Sequence, residues 1–313
     1  MNTRDLEYVL ALATTGQFGK AARRCGVSQP TLSTQVARLE ADLGARLFER
    51  GPKGVTATPT GQRVLAQARR VLDATEALRA EADADATRWS GPLRLGVIPT
   101  AGPYLMPHVL PVIRSRQPEA QLFLREATTH DLLERLTGSD LDAAILSDPF
   151  DTSSVSRATI YDEPFVLATP RRHRWAKRRR LSIHDAADEP MILLEDGHCL
   201  RTQALRLCGN EAQPDAPFQA SSLESLRQMV AAGIGPTLLP YLATIGPFAD
   251  LCDFPLHPFT RPAPSRTLVL VWRRSYPRAR LLEALARDMA GALDALPRPG
   301  GRLPKPRPGP TPK

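Results

Sequence analysis

The sequence predicts two fold classes in series: an N-terminal all-α winged helix-turn-helix with a long linker helix, then a C-terminal α/β domain. Three observations predict it. Apolar residues in the first 60 or so positions recur at helical spacing, are broken by glycine turns, and end in a turn-rich hairpin. Residues 59 to about 84 form a polar stretch rich in Ala, Arg and Glu with a narrow apolar seam. After Ser90-Gly91-Pro92, strand-like and helix-like segments alternate, as in an α/β domain with largely parallel sheets.

In the head, Leu6, Val9, Leu10, Leu12 and Ala13 share one helical face, which Thr15-Gly16-Gln17 ends. A short helix runs from Phe18 to Arg24, with the small pair Ala21 and Ala22 inside it. Gly26 makes a turn, Ser28 caps the next helix, and Pro30 sits in its first turn. Leu32, Val36 and Leu39 continue the apolar stripe, and the segment from Arg50 to Thr56 reads as a hairpin.

In the linker helix the seam is Val64, Leu65, Ala68, Val71, Leu72, Thr75 and Leu78, suited to a partner helix. Strands are expected at Leu93–Ile98, Gln121–Arg125, Leu141–Ser147, Phe165–Ala168, Met191–Leu194, Pro236–Leu239 and Arg266–Trp272. Helices are expected at Tyr104–Arg114, Asp131–Leu136 and Arg280–Leu293. The expected domains are 1–60, 61–90 (linker and dimerisation), 91–296 and a disordered, basic, Pro-rich tail, 297–313.

A hydrophobic content of 42% excludes a wholly disordered chain. The net charge of +8 suits a polyanionic partner, nucleic acid before membrane. No apolar run reaches the ~18 residues of a membrane span, and the start Met1-Asn2-Thr3-Arg4-Asp5 has no signal-peptide core. The protein is therefore expected in the cytoplasm, where its four cysteines would not form a static disulfide framework. The run from Arg171 to Arg180 is basic with one aromatic, and a solvated loop is its simpler reading.

Phe18 to Gly44 is a helix-turn-helix pattern. Ala21 and Ala22 let two helices approach, Gly26 permits the turn, and Ser28 starts a recognition helix. Gln29, Pro30, Thr31, Ser33, Thr34, Gln35 and Arg38 lie at its front or off its core stripe, positioned for base edges and phosphates of double-stranded DNA. Arg50 and Lys53 on the hairpin would meet flanking phosphate as a wing. The pieces Ala21-Ala22, Ser28 to Ser33 (SQPTLS), Leu39-Glu40, Leu43-Gly44, Leu47 to Arg50 (LFER) and Thr58 to Gly61 (TPTG) resemble the winged helix-turn-helix of LysR-type transcriptional regulators. The resemblance covers nearly the whole chain. It implies promoter DNA and RNA polymerase as partners, a homodimer or homotetramer built through the linker helix, and a two-lobed effector domain like a periplasmic binding protein.

Leu193 to Asn210 reads LLEDGHCLRTQALRLCGN. Asp196 is a candidate N-cap, and Cys199 would fall in the first helical turn, where free amides and the dipole favour an anion. His198, Arg201 and Arg206 add positive character; Glu195 and Asp196 oppose it. On one unbroken helix, nine residues separate Cys199 from Cys208 by about 13.5 Å along the axis, too far for a disulfide without rebuilding the segment. From the residues alone, two buried structural cysteines remain open. A metal site is disfavoured, since His198, Cys199 and Cys208 lack close spacing and a fourth ligand. No metal or cofactor is expected.

Within the LysR group, Gly-His-Cys-Leu-Arg followed by a second cysteine resembles the hydrogen-peroxide-sensing members. That resemblance implies Cys199 as the peroxidatic cysteine and Cys208 as the resolving one, switching expression of antioxidant genes. It also implies a polar peroxide pocket from Thr100, Thr129, His198 and Arg266, with Thr128 assisting and Arg201 supporting the thiolate. Thr202 departs from the acidic residue expected there, which puts peroxide sensitivity in doubt. Cys25 is expected as a helix-packing residue and Cys252 as a loop or edge residue. The alternative is a LysR-type regulator answering a small organic inducer. A thiol peroxidase enzyme is disfavoured by the DNA-binding head.

Overall fold

Asn2 opens the first helix with a reciprocal cap. Its side chain accepts from Asp5 N (2.9 Å) while Asp5 Oδ2 accepts from Asn2 N (2.8 Å). The computed structural model describes residues 1–51, 54–82, 89, 91–187, 189–207 and 218–299. Pro52, Lys53, Cys208 and the 300–313 part of the expected tail lie outside them. The chain divides into two compact units, one reaching through the long helix and the other beginning ahead of the first effector strand.

The first unit is α1 (Thr3–Thr15), α2 (Phe18–Arg24), α3 (Gln29–Leu43), the hairpin β1 (Phe48–Gly51) and β2 (Gly54–Ala57), and α4 (Pro59–Ala82). Ala21 and Ala22 are buried among Val9, Leu12, Leu32, Val36 and Leu39, so the small pair sets the helix spacing as expected. Gly26 turns at φ +67, open to glycine without strain. Glu40 Oε1 accepts from both Leu47 N (2.7 Å) and Phe48 N (3.1 Å), fastening the hairpin under α3.

One expectation changes here. Leu65 and Ala68 of the α4 seam are buried in the head's own core, and Val64 and Leu72 pack partly against it. The seam is therefore shared: its first half closes this unit, and only Val71 and Leu78 are left largely exposed.

The second unit runs β3 (Gly91–Val97), α5 (Gly102–Arg116), β4 (Ala120–Glu126), α6 (Thr129–Thr137), β5 (Ala143–Ser147), β6 (Val155–Ala168), α7 (Ile183–Ala187), β7 (Leu193–Leu194), α8 (Cys199–Leu207), β8 (Gln219–Ala220), α9 (Leu223–Ala231), β9 (Thr237–Pro240), two 3₁₀ turns, β10 (Leu256–Pro258), β11 (Ser265–Arg273) and α10 (Ala279–Asp294). The main sheet orders β10-β6-β11-β5-β3-β4, with β9 also on β6. The first part of β6 pairs β11 and its last part pairs β9 and β10, so this one strand crosses between two lobes. The second crossing leads from β10 back to β11.

Two corrections follow. The sheet is mixed: β3 is parallel to β4 and β5, but β11, the strand that returns from the second lobe, inserts between β5 and β6 and runs antiparallel to both. The strand expected at Phe165–Ala168 begins ten residues earlier, at Val155. The core of the first lobe lies around β5, whose five residues are all buried, with α10 packed on β6 and α5. Among the described residues no helix is long and apolar enough to cross a membrane.

Candidate functional site

Three parallel strands end at one crevice. β3 leads to Thr100, β4 to Thr128 and Thr129, and β5 to Ser147, the place where open α/β sheets take ligands. From the other lobe, β7 runs through Glu195 and Asp196 into Gly197 and then α8. Gly197 has φ +92, which a side chain would strain, and a Cβ there would lie 3.7 Å from Thr128 Cγ2. The turn carrying Cys199 therefore sits against the start of α6.

Cys199 is the first residue of α8 and a partly exposed free thiol. This corrects the cap: with the helix starting at Cys199, His198 takes the position ahead of it, and Asp196 lies too far back. Asp196 instead pairs with Arg201 Nε at 2.9 Å. Arg201 is buried, and its Nη1 donates to Leu194 O at 3.0 Å. Its guanidinium thus braces the β7–α8 turn from behind. Thr202 is exposed.

Gln203, one helical turn past Cys199 and on the same face, was not foreseen. Its Nε2 donates to Ser147 Oγ (2.9 Å) and Asp148 O (3.1 Å), tying α8 to the end of β5. Its Oε1 is buried with no partner among the described residues. Helical spacing from Cys199 was the cue that could have found it.

Thr128 caps α6, accepting from Asp131 N. Thr129 Oγ1 is also buried without a partner among the described residues. Arg266 is buried and highly engaged: Nε donates to Glu163 Oε2 (2.8 Å), Nη1 to Thr100 Oγ1 (2.9 Å), and Nη2 to Thr100 O (2.9 Å). Nη2 also lies 2.7 Å from Glu163 Oε2, and Glu163 Oε1 accepts from Leu242 N at 2.9 Å. One Nη1 hydrogen then has no acceptor among the described residues. Glu163, fully buried, is a further residue that the sequence reading missed.

The arrangement offers a thiol at a helix start, hydroxyls at Thr100 and Thr129, an amide oxygen at Gln203 and a guanidinium donor. Such a set can hydrogen-bond a small polar molecule with both donors and acceptors. Among the described residues no cluster of His, Cys, Asp and Glu could hold a metal ion. Burial pushes both the Cys25 and the Cys252 thiol up. Cys252 lies on the loop that follows the second 3₁₀ turn, as expected, but is buried there, with Arg227 Nη2 3.2 Å from its Sγ.

In the head, Ser28 caps α3 by accepting from Thr31 N (3.3 Å), and its Oγ lies 2.7 Å from Thr31 Oγ1. Gln29, Pro30, Thr31, Thr34 and Arg38 are exposed and Ser33 is partly so. Arg50 stacks 4.8 Å over the Phe18 ring.

Residues 3–62 match the family described as bacterial regulatory helix-turn-helix protein, lysR family, and residues 86–293 match the LysR substrate binding domain. The chain is 42% identical over 295 residues to the DNA-binding transcriptional dual regulator OxyR of Escherichia coli K12, covering 94% of this chain and 96% of that one. Full-length OxyR from Pseudomonas aeruginosa matches with a TM-score of 0.77 at 37% identity, over 92% of this chain and 94% of that one. A mutant Corynebacterium glutamicum OxyR with hydrogen peroxide bound matches with a TM-score of 0.62 at 31% identity, over 94% and 92%.

Proposed function

Because this chain belongs to the LysR family of bacterial regulatory helix-turn-helix proteins, we propose that it is a transcription regulator switched by hydrogen peroxide through Cys199 and Cys208. The observation that carries this reading is a pair of buried oxygens with no partner among the described residues: Thr129 Oγ1, next in sequence to the Thr128 that meets the glycine turn ahead of Cys199, and Gln203 Oε1, one helical turn past Cys199. Leaving such a group unmatched costs about 1–3 kcal/mol, so the crevice calls for a small polar guest.

In the proposed reaction the Cys199 thiolate attacks one peroxide oxygen. The O–O bond breaks, sulfenic acid forms on Cys199, and hydroxide leaves, taking up a proton as water. Arg266, through its remaining Nη1 hydrogen, donates to that leaving oxygen, while Thr100, Thr129 and His198 hold the peroxide. Arg201 keeps the turn in place. The Cys208 thiol then attacks the sulfenic sulfur and expels water, giving a disulfide. Because α8 is helical from Cys199 to Leu207, that product requires the segment to be rebuilt.

The rebuilt effector unit would alter how a homodimer or homotetramer, joined through the exposed end of α4, sits on promoter DNA and engages RNA polymerase. Gln29, Pro30, Thr31, Ser33, Thr34 and Arg38 would read the operator, with Arg50 and Lys53 on flanking phosphate.

Operator footprinting of the full chain, with and without brief peroxide, tests the assignment. Cys199→Ser should hold the reduced footprint at any dose, and Cys208→Ser should gain sulfenic acid at Cys199 without a lasting shift. A footprint change in Cys199→Ser would overturn it.

A further inference from the structure

The loop between β6 and α7 has seven Lys and Arg in the ten residues from Arg171 to Arg180, and the cysteine crevice uses none of them. Its frame is built. Trp175 is buried, with the His173 ring edge-on at 4.8 Å, and His173 Nε2 pairs with Glu189 at 2.8 Å. Backbone bonds tighten the turn: His173 N to Pro170 O, Ala176 N to His173 O and Arg178 N to Trp175 O. Buried His257 lies with Nδ1 2.9 Å from Arg178 O, which can only accept, so that nitrogen donates and holds the far end.

Three of the seven cations meet acids. Arg171 pairs with Asp253, Arg174 with Glu189, and Arg178 with Asp185. The other four, Arg172, Lys177, Arg179 and Arg180, are exposed, and no acidic side chain among the described residues pairs with them. Same-sign charges held close on a fixed turn repel one another, and a polyanion relieves that repulsion.

We propose that this loop is a second DNA contact, in which Arg172, Lys177, Arg179 and Arg180 grip the phosphate backbone of duplex flanking the operator. Two observations favour DNA over an acidic protein. The loop's one aromatic is buried, so the surface lacks the apolar anchors that protein interfaces place at their centre. The loop also shares a chain with the DNA-binding head, which keeps duplex at high effective concentration. The contact is to phosphate and therefore independent of sequence.

The test uses the full chain with all four residues changed to Gln. Affinity is measured against salt on two duplexes: the operator trimmed to the head's footprint, and the operator with long flanks. Each lost phosphate contact lowers the slope of log affinity against log salt by about 0.9. The expected result is a slope flatter by about 2–4 units on the long duplex and unchanged on the trimmed one. Equal slopes for parent and variant on the long duplex would overturn the proposal. So would an equal loss on both duplexes. Weakened binding of polyglutamate with DNA affinity intact would assign the loop to an acidic protein instead. If the fourfold variant unfolds by circular dichroism, the single changes Arg172→Gln and Arg180→Gln are each read for their own slope change. Because trimmed-duplex binding reports the head alone and peroxide is absent throughout, failure here is separable from failure of the cysteine switch.

Discussion

Thr100 and Thr129 are one residue type in opposite states. Thr100 Oγ1 accepts from Arg266 Nη1 at 2.9 Å, whereas Thr129 Oγ1 is buried and unmatched among the described residues. Valine keeps the shape and removes the hydroxyl, so the two substitutions should part company. Thr129→Val should leave stability unchanged or raise it, because an unmatched buried group costs about 1–3 kcal/mol. It should also slow oxidation of Cys199. Thr100→Val should lower stability by about 1–3 kcal/mol, since it strips an acceptor from a buried guanidinium. Thermal unfolding of both, beside stopped-flow oxidation, checks this; a Thr129→Val protein that reacts at the parent rate would remove that hydroxyl from the pocket. The family resemblance pointed to both threonines as pocket residues. Glu163 was not: between Asp162 and Pro164 it looks like a solvent-facing residue, and its partner Arg266 is 103 positions away. Removing one member of that buried pair, as in Glu163→Gln, should cost about 3–5 kcal/mol.

At the level of elements, the head was legible because its sequence motifs are contacts. The TPTG stretch works in detail: Thr58 Oγ1 donates to Arg46 O (2.8 Å) and accepts from Gly61 N (2.9 Å) at the start of α4. A Cβ on Gly61 would lie 2.0 Å from Leu47 O, so α4 can close on the hairpin only with glycine there. Gly61→Ala should therefore push α4 off β1 and destabilise the first unit near the top of the usual range, about 3 kcal/mol. Thermal unfolding together with operator affinity measures it, and an unchanged melting temperature would show that the close approach is dispensable. The effector unit was less legible. β6 spans Val155–Ala168 but carries charged residues and Pro164, so only its apolar last third reads as a strand. Its role as a crossing strand comes from pairing β11 with one part and β9 and β10 with the other, information spread over a hundred residues of chain.

For the molecule as a whole, α4 has two tasks that one apolar seam does not distinguish. Leu65 is 5% exposed and belongs to the head's core; Leu78, further along the same helix, is 73% exposed, and Val71 is 45% exposed. A seam read from spacing alone assigns all of these to a partner, because periodicity reports a face and not what covers it. A second copy of the helix laid against the exposed end would bury Leu78 from each side in a self-complementary contact. Covering one leucine fully is worth about 1.5–3 kcal/mol, counted twice in a symmetric pair. Leu78→Asp should lose that burial and set two carboxylates facing each other while leaving the head folded. Sedimentation should then show a monomer at concentrations where the parent is oligomeric, with unchanged melting of the head. Leu65→Asp should do the reverse, unfolding the head by placing a charge in its core. An intact oligomer in both Leu78→Asp and Val71→Asp would move the subunit contact away from α4.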